Sequence, residues 1–312
     1  MTAKKRNSFF LLLASLIWGV AFVAQSEGGN AIGPFSFSCI RSFLAALVLL
    51  PVMKISDLRL GEKSKRPKTK DERKRLWIGG SLCGVFLCFA TNLQQVGLFL
   101  GSTTGKAGFL TAIYILFVPL LGIFFKRKCP WNVWLGVAIA VGGLYLLCLK
   151  EDFSVQAPDL LLLLCALLFS GQILAVDHFS PLVDGIRLSA IQHLVSGILS
   201  AFPMIFYDIF TLSGSLSAWA EAFTSLNAWI PLLYAGILSS GVAYTLQIIG
   251  QKQVNPTVAA LLMSLESVFS ALAGWAILHE SLSVRELFGC ALVFIAILLA
   301  QIPLPFRRNG SE

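Results

Sequence analysis

Glu266 stands between Leu265 and Ser267 in the middle of a long apolar run. A charge at the centre of a membrane-spanning helix costs about 2.5–3.5 kcal/mol on insertion scales, so a carboxyl at such a place calls for a use. It can carry a proton or pair with a substrate ammonium; its plainer use is as a protonated donor to a neighbouring helix. Arg41 raises the same question with the opposite sign. Its guanidinium cannot shed its charge. It could therefore meet a substrate carboxylate, snorkel to the nearest aqueous surface, or hold Glu27 or Glu280 in a gating pair, and the structural uses are the commoner ones. His193 could exchange a proton in the physiological range or serve as hydrogen-bonded packing. Trp18, Asn92, Gln95, Tyr114, Gln172, Tyr244 and Gln247 add aromatic faces and neutral hydrogen-bonding groups within apolar runs. Each could line a pocket or fasten one helix to another.

The elements that carry these residues follow from composition. Of 312 residues, 56% are hydrophobic and only 13% charged, with a mean hydropathy of +0.79. A water-soluble domain of this size could not keep so much apolar surface from water, whereas bilayer hydrocarbon is a natural solvent for it. A spanning helix needs about 20 predominantly apolar residues. That criterion predicts helices at Phe9–Ala24, Phe35–Met53, Leu76–Leu100, Gly105–Phe125 and Trp131–Leu149, then at Pro158–Val176, Leu188–Phe210, Ala228–Gly250, Thr257–Leu278 and Glu286–Pro303. The runs are too long for barrel strands and lack their alternation. The fold class is thus all-α integral membrane, with ten transmembrane helices.

The net charge of +8 is read as topology rather than as a nucleic-acid footprint, because the cations fall in short connections. With the N-terminus inside, the cytoplasmic connections hold Lys4–Arg6, the basic stretch Lys54–Arg75, Lys126–Lys128, Arg187, Lys252 and Arg307–Arg308. The opposite side holds Lys150 and Arg285 among mostly acidic residues. Both termini are expected in the cytoplasm of a bacterial-type inner membrane. The first span follows Lys4–Arg6 as a signal peptide would, but it lacks a clear small-x-small cleavage site and is read as uncleaved. Lys54–Arg75 is expected to be a solvated loop beside anionic lipid headgroups. The seven cysteines lie mostly in apolar runs and read as small packing residues, without zinc-site spacing.

The two halves match at a shift near 152 residues. Gly19 falls on Gly171, Pro51 on Pro203, Gly84 on Gly236, Gln95 on Gln247, Ala107 on Ala259 and Gly122 on Gly274. Five helices are an odd number, so the second half must be inserted upside down relative to the first. Inverted repeats of this kind are a signature of secondary transporters. The same shift pairs Tyr114 with Glu266 and Arg41 with His193, so these side chains approach one pseudo-twofold axis from opposite halves.

The sequence resembles the EamA family of the drug/metabolite transporter superfamily. The likeness rests on Leu16-Ile17-Trp18-Gly19, on Arg41-Ser42-Phe43-Leu44, and on Ala107 to Thr111 with Val118-Pro119. In the second half it rests on Ser264-Leu265-Glu266-Ser267-Val268-Phe269 and Leu278-His279-Glu280. It covers almost the whole chain, as repeats at 9–149 and 158–303. The resemblance implies a ten-helix fold that exports amino acids or other small polar metabolites. Val268 stands where the family commonly carries a proline, so no proline kink is expected in the ninth span, while Pro119 could bend the fourth.

The sequence holds no phosphate-binding loop, no metal-ligand cluster, no cofactor motif and no nucleophile–base set, which points away from an ATP-driven pump or an enzyme. The function expected is alternating-access export of a small-molecule substrate, with proton exchange as one way to drive it. A flippase or importer on the same scaffold is the alternative, and a membrane scaffold or sensor is the reading from another class. The expected binding residues are Trp18, Asn92, Gln95, Tyr114, Tyr244, Gln247 and Glu266, with Arg41, His193 and Glu280 for gating or coupling. Membrane lipids are expected partners and a homo-oligomer is possible; nucleic acid is not expected.

Overall fold

A computed structural model describes residues 3–61, 66–124, 129–148, 156–278 and 283–301. The first half comprises α1 (Ala3–Ile32), α2 (Pro34–Leu60), α3 (Lys70–Phe99), α4 (Thr104–Ala112), α5 (Tyr114–Phe124) and α6 (Trp131–Cys148). The second comprises α7 (Ala157–Phe179), α8 (Gly185–Pro203), α9 (Leu216–Glu221), α10 (Leu226–Leu233), α11 (Tyr244–Gly250), α12 (Pro256–Met263), α13 (Leu265–Leu278) and α14 (Val284–Gln301). Two π-helical segments, Met204–Leu212 and Tyr234–Ala243, continue α8 and join α10 to α11. Among the described residues there is no strand. Among the described residues eight stretches are long and apolar enough to cross a membrane, and Trp131–Leu147 is a shorter apolar one. With α14 packed along α6, the described residues form ten spans of an all-α integral membrane protein.

Several helices run past their apolar cores. α1 is predicted to stop at Ala24 but continues to Ile32; α2 and α3 supply partners for Gln25, through Arg41 and Gln95. What ends it is the pair Gly33-Pro34, with Gly33 at φ +91°. Helix starts follow their local chemistry. Thr69 and Glu72 form a capping box on α3, and Thr103, Asp184 and Asn255 cap α4, α8 and α12 with their side chains. The segment Gly101 to Thr103 is a tight turn, with Gly101 at φ +96° and Ser102 N–H bonded to the Gly97 carbonyl at 3.1 Å.

The inversion is visible in the packing. α2 and α8 are repeat equivalents and run antiparallel: Asp57 near the end of α2 meets Arg187 at the start of α8 at 2.6 Å. At the other end the Asp208 carboxylate, just past α8, accepts from the Ser36 backbone in the first turn of α2. α6 and α14 are likewise equivalent and antiparallel. A Cβ on Gly143 would stand 2.8 Å from the Gly289 carbonyl oxygen, and one on Gly289 2.6 Å from that of Gly143. Lipid supplies no hydrophobic drive between helices, so close backbone approach through small residues is what holds such pairs. α3 packs on α7 as the end of the eighth span packs on α1: Gly97 closes on Leu162, and Gly250 on Leu11.

Two spans are interrupted at matching places. The fourth breaks at Ile113 and the ninth at Ser264, each with φ near −60° and ψ of −12°. Tighter i to i+3 bonds appear there beside the regular ladder, from Leu116 to the Ile113 carbonyl at 2.9 Å and from Ser267 to the Ser264 carbonyl at 3.2 Å. The first break precedes Pro119 by a full turn and more, and the second contains no proline. Neither is therefore the proline kink considered from sequence.

Candidate functional site

The interruptions face a cavity of about 40 Å³ between the two halves. α1 contributes Trp18, Phe22 and Gln25, at i, i+4 and i+7 on one helical stripe. α7 contributes Phe169, Gln172 and Ile173, at i, i+3 and i+4 on one helical face. Thr111 and Tyr114 straddle the break at Ile113, and their repeat equivalents Met263 and Glu266 straddle the break at Ser264. The π segment, running into the start of α11, brings Ser239 and Tyr244, five residues apart, to the same wall together with Gln247. An α-helix would point the first two well away from each other, whereas bonding from i to i+5 widens the turn enough to align them. Arg41 from α2 and Gln94 from α3 complete the lining.

The charged groups meet neutral partners. Tyr114 Oη donates to Glu266 Oε1 at 3.4 Å, so the two repeat-equivalent residues touch each other across the axis. Gly19 permits that placement, since a Cβ there would lie 2.8 Å from the Glu266 carbonyl. Arg41, only 3% exposed, donates from Nη1 to Gln25 Oε1 at 3.1 Å and lies over the Phe37 ring at 5.7 Å. It neither snorkels nor pairs with Glu27, which is exposed. The neutral wall is a chain of amides, in which Gln247 donates to Gln172 at 3.0 Å and Gln172 to Gln192 at 3.3 Å. Trp18 Nε1 donates to the Ser239 carbonyl at 3.2 Å, and its ring meets Tyr244 edge-on at 4.8 Å.

Of the residues expected at a site, Trp18, Tyr114, Tyr244, Gln247, Glu266 and Arg41 line this cavity. Asn92 does not: its amide donates to the Cys88 carbonyl at 2.8 Å and to Ser200 Oγ at 2.7 Å, fastening α3 to α8. Gln95 also stands behind the lining, donating to the Gln25 carbonyl at 2.7 Å. His193 is buried behind Tyr244, ring to ring at 5.3 Å, and Glu280 lies outside the described residues. Gln25, Gln94, Thr111, Phe22, Phe169 and Met263 join the lining without having been singled out from sequence. The repeat shift applied to residues three before Tyr114 and Glu266 points to Thr111 and Met263. The unpaired charge of Arg41 was the signal for a polar partner such as Gln25.

Two ion-pair groups lie away from the cavity, one at each end. Lys106 at the start of α4 meets Asp159 at the start of α7 at 2.6 Å. At the end where the chain begins, Asp57 holds both Arg66 and Arg187 at 2.6 Å. Among the described residues no cluster of side chains could hold a metal ion.

Comparisons agree with this architecture. An uncharacterized transporter of Archaeoglobus fulgidus is 28% identical over 300 residues, covering 94% of this chain and 84% of its own. The uncharacterized transporter YoaV of Bacillus subtilis is 25% identical, covering 96% and 97%. The threonine/homoserine exporter RhtA of Escherichia coli is 26% identical, covering 92% and 88%. A solved crystal structure superposes with a TM-score of 0.73 at 20% identity, over 95% of this chain and 96% of that one, which is a likeness of fold. The profile described as the EamA-like transporter family matches twice, at residues 6–149 and 156–301, and the chain belongs to that family of membrane transporters.

Proposed function

We propose that this transporter moves amino acids or closely related small polar metabolites out of the cell across the inner membrane by alternating access, with both termini cytoplasmic. The observation that carries the proposal is the pair of opposite ionisable groups, Arg41 and Glu266, facing one small cavity where the two halves meet. Among the described residues each meets a neutral partner at hydrogen-bond distance, Gln25 and Tyr114. Arg41 takes a substrate carboxylate. Glu266 takes an ammonium or a proton, and the Gln172–Gln247 amides and the Trp18 and Tyr244 rings complete the contacts. Discontinuous helices at the repeat interface are where secondary transporters bind their substrates, and the relative RhtA is named for export of threonine and homoserine.

Alternating access has the two repeats rock about this cavity, and the ion pairs at the two ends are the contacts that such rocking would strain. The test is exchange of labelled amino acids across proteoliposomes holding the purified protein, with and without a pH gradient. Saturable, competable exchange that responds to the gradient is expected. Folded protein that exchanges no amino acid would overturn the substrate assignment and leave a lipid-linked substrate as the next to examine.

A further inference from the structure

A cation buried within a membrane-spanning helix is ordinarily met by a carboxylate, because an uncompensated charge there is costly. Among the described residues Arg41 is met by a carboxamide instead. Gln25 is built into that position with some care. It lies 5% exposed on α1, beyond the first apolar run, and its backbone carbonyl is held by Gln95 Nε2 at 2.7 Å. One turn further along, Gly29 leaves the space this contact needs, since a Cβ there would collide with the Gln95 side chain. The side-chain oxygen of Gln25 is thereby presented to the Arg41 guanidinium at 3.1 Å. Among the described residues the acids nearby do not take its place: Glu27 is exposed, Asp208 is spent on the first turn of α2, and Glu266 is bonded by Tyr114.

A glutamate would fit where this glutamine stands, being the same size and shape, and would close an internal ion pair with Arg41. We propose that Gln25 is a specificity-determining residue. By orienting Arg41 without neutralising it, Gln25 reserves the guanidinium for an anionic group on the substrate, so the transporter selects molecules bearing a carboxylate over their uncharged analogues. This rests on the reading of the cavity as the transport site.

The experiment measures competition for exchange in proteoliposomes by threonine, leucine, phenylalanine and glutamate, each beside its α-carboxamide. Wild-type protein is expected to prefer the acid to the amide by at least about tenfold, the equivalent of roughly 1.4 kcal/mol. In Gln25→Glu the preference collapses toward one. In Gln25→Met, which removes the hydrogen bond but adds no charge, KM rises while the acid is still preferred. Retention of the full preference in Gln25→Glu overturns the proposal, and so does its loss in Gln25→Met, a variant that also covers the case in which Gln25→Glu fails to fold. A wild type that competes acid and amide alike removes the carboxylate reading of Arg41 itself. That outcome is distinct from a wild type that discriminates and a Gln25→Glu variant that discriminates equally.

Discussion

The two halves of the chain are alike where helices touch and unlike where they face the cavity. Gly84 and Gly236 both let a third helix of one half close on the second helix of the other, Gly84 on α8 and Gly236 on α2. Gly97 and Gly250 repeat the pattern between α3 and α7 and between α11 and α1. Around the cavity the equivalences are of position only. Tyr114 answers Glu266, Thr111 answers Met263, and Arg41 in the lining answers His193 behind it. The difference has a physical reason. A frame that rocks between two mirror arrangements needs the same close approaches in both, and small residues supply them in either half. A substrate needs one fixed set of charges whichever side is open, and two identical carboxyls meeting on the axis would repel when ionised.

The sharpest way to break this comparison is to remove the chemical difference at the axis. Glu266→Gln makes both equivalents neutral while keeping shape. Gradient-driven exchange is expected to fall by at least about a hundredfold, as when a group acting in the central step is removed, while passive counterflow persists. Tyr114→Phe removes only the hydroxyl that donates to Glu266. It should weaken driven exchange by about tenfold or less, in keeping with one hydrogen bond to an ionisable group. Proteoliposome flux at imposed pH gradients measures both, and an unchanged gradient response in Glu266→Gln would sink the coupling role.

Much of this contrast was legible in the sequence. The spans follow from apolar runs that no connection interrupts, and the inversion from an odd helix count together with glycines at a common shift. Glu266, Arg41, Trp18, Tyr114, Tyr244 and Gln247 stood out because a polar or amphipathic group inside hydrocarbon needs a partner, and the cavity is where they gather. The same argument cannot tell a lining residue from a fastening one. Asn92 and Gln95 look identical to Gln247 in sequence, yet they spend their amides on α8 and α1. Gln25 was hidden because it follows the first apolar run, where polarity reads as a helix end rather than as a partner for Arg41. Phe22, Phe169 and Met263 carry no polar mark at all. The breaks at Ile113 and Ser264 fall on residues that are neither glycine nor proline, so nothing local announces them.

The frame side of the comparison can be tested by stability alone. Gly289→Val and Gly142→Val make the same chemical change on α14 and α6. A Cβ at Gly289 meets the Gly143 carbonyl and the Leu147 backbone at 2.6 Å, whereas one at Gly142 meets nothing within 4 Å. Gly289→Val is expected to cost about 1–3 kcal/mol through overpacking and to lower the thermal midpoint in detergent. Gly142→Val should leave it within error. Equal losses would mean that α6 and α14 are held by something other than close backbone approach.

The smallest expected effect comes from a residue that belongs to both sides of the comparison. Trp18 lines the cavity with its ring and fastens α1 to the π segment through its indole N–H, 3.2 Å from the Ser239 carbonyl. Trp18→Phe keeps an aromatic face toward Tyr244 but deletes the donor. The loss should be about 0.5–1.5 kcal/mol, the net worth of one hydrogen bond, because the carbonyl it leaves lies in a π turn facing the cavity, where water can reach it. Thermal unfolding measures the fastening role and substrate KM the lining role. A shift in stability with KM unchanged would place Trp18 with the glycines, as part of the frame. A raised KM at unchanged stability would place it with Glu266, among the groups that had to differ between the halves.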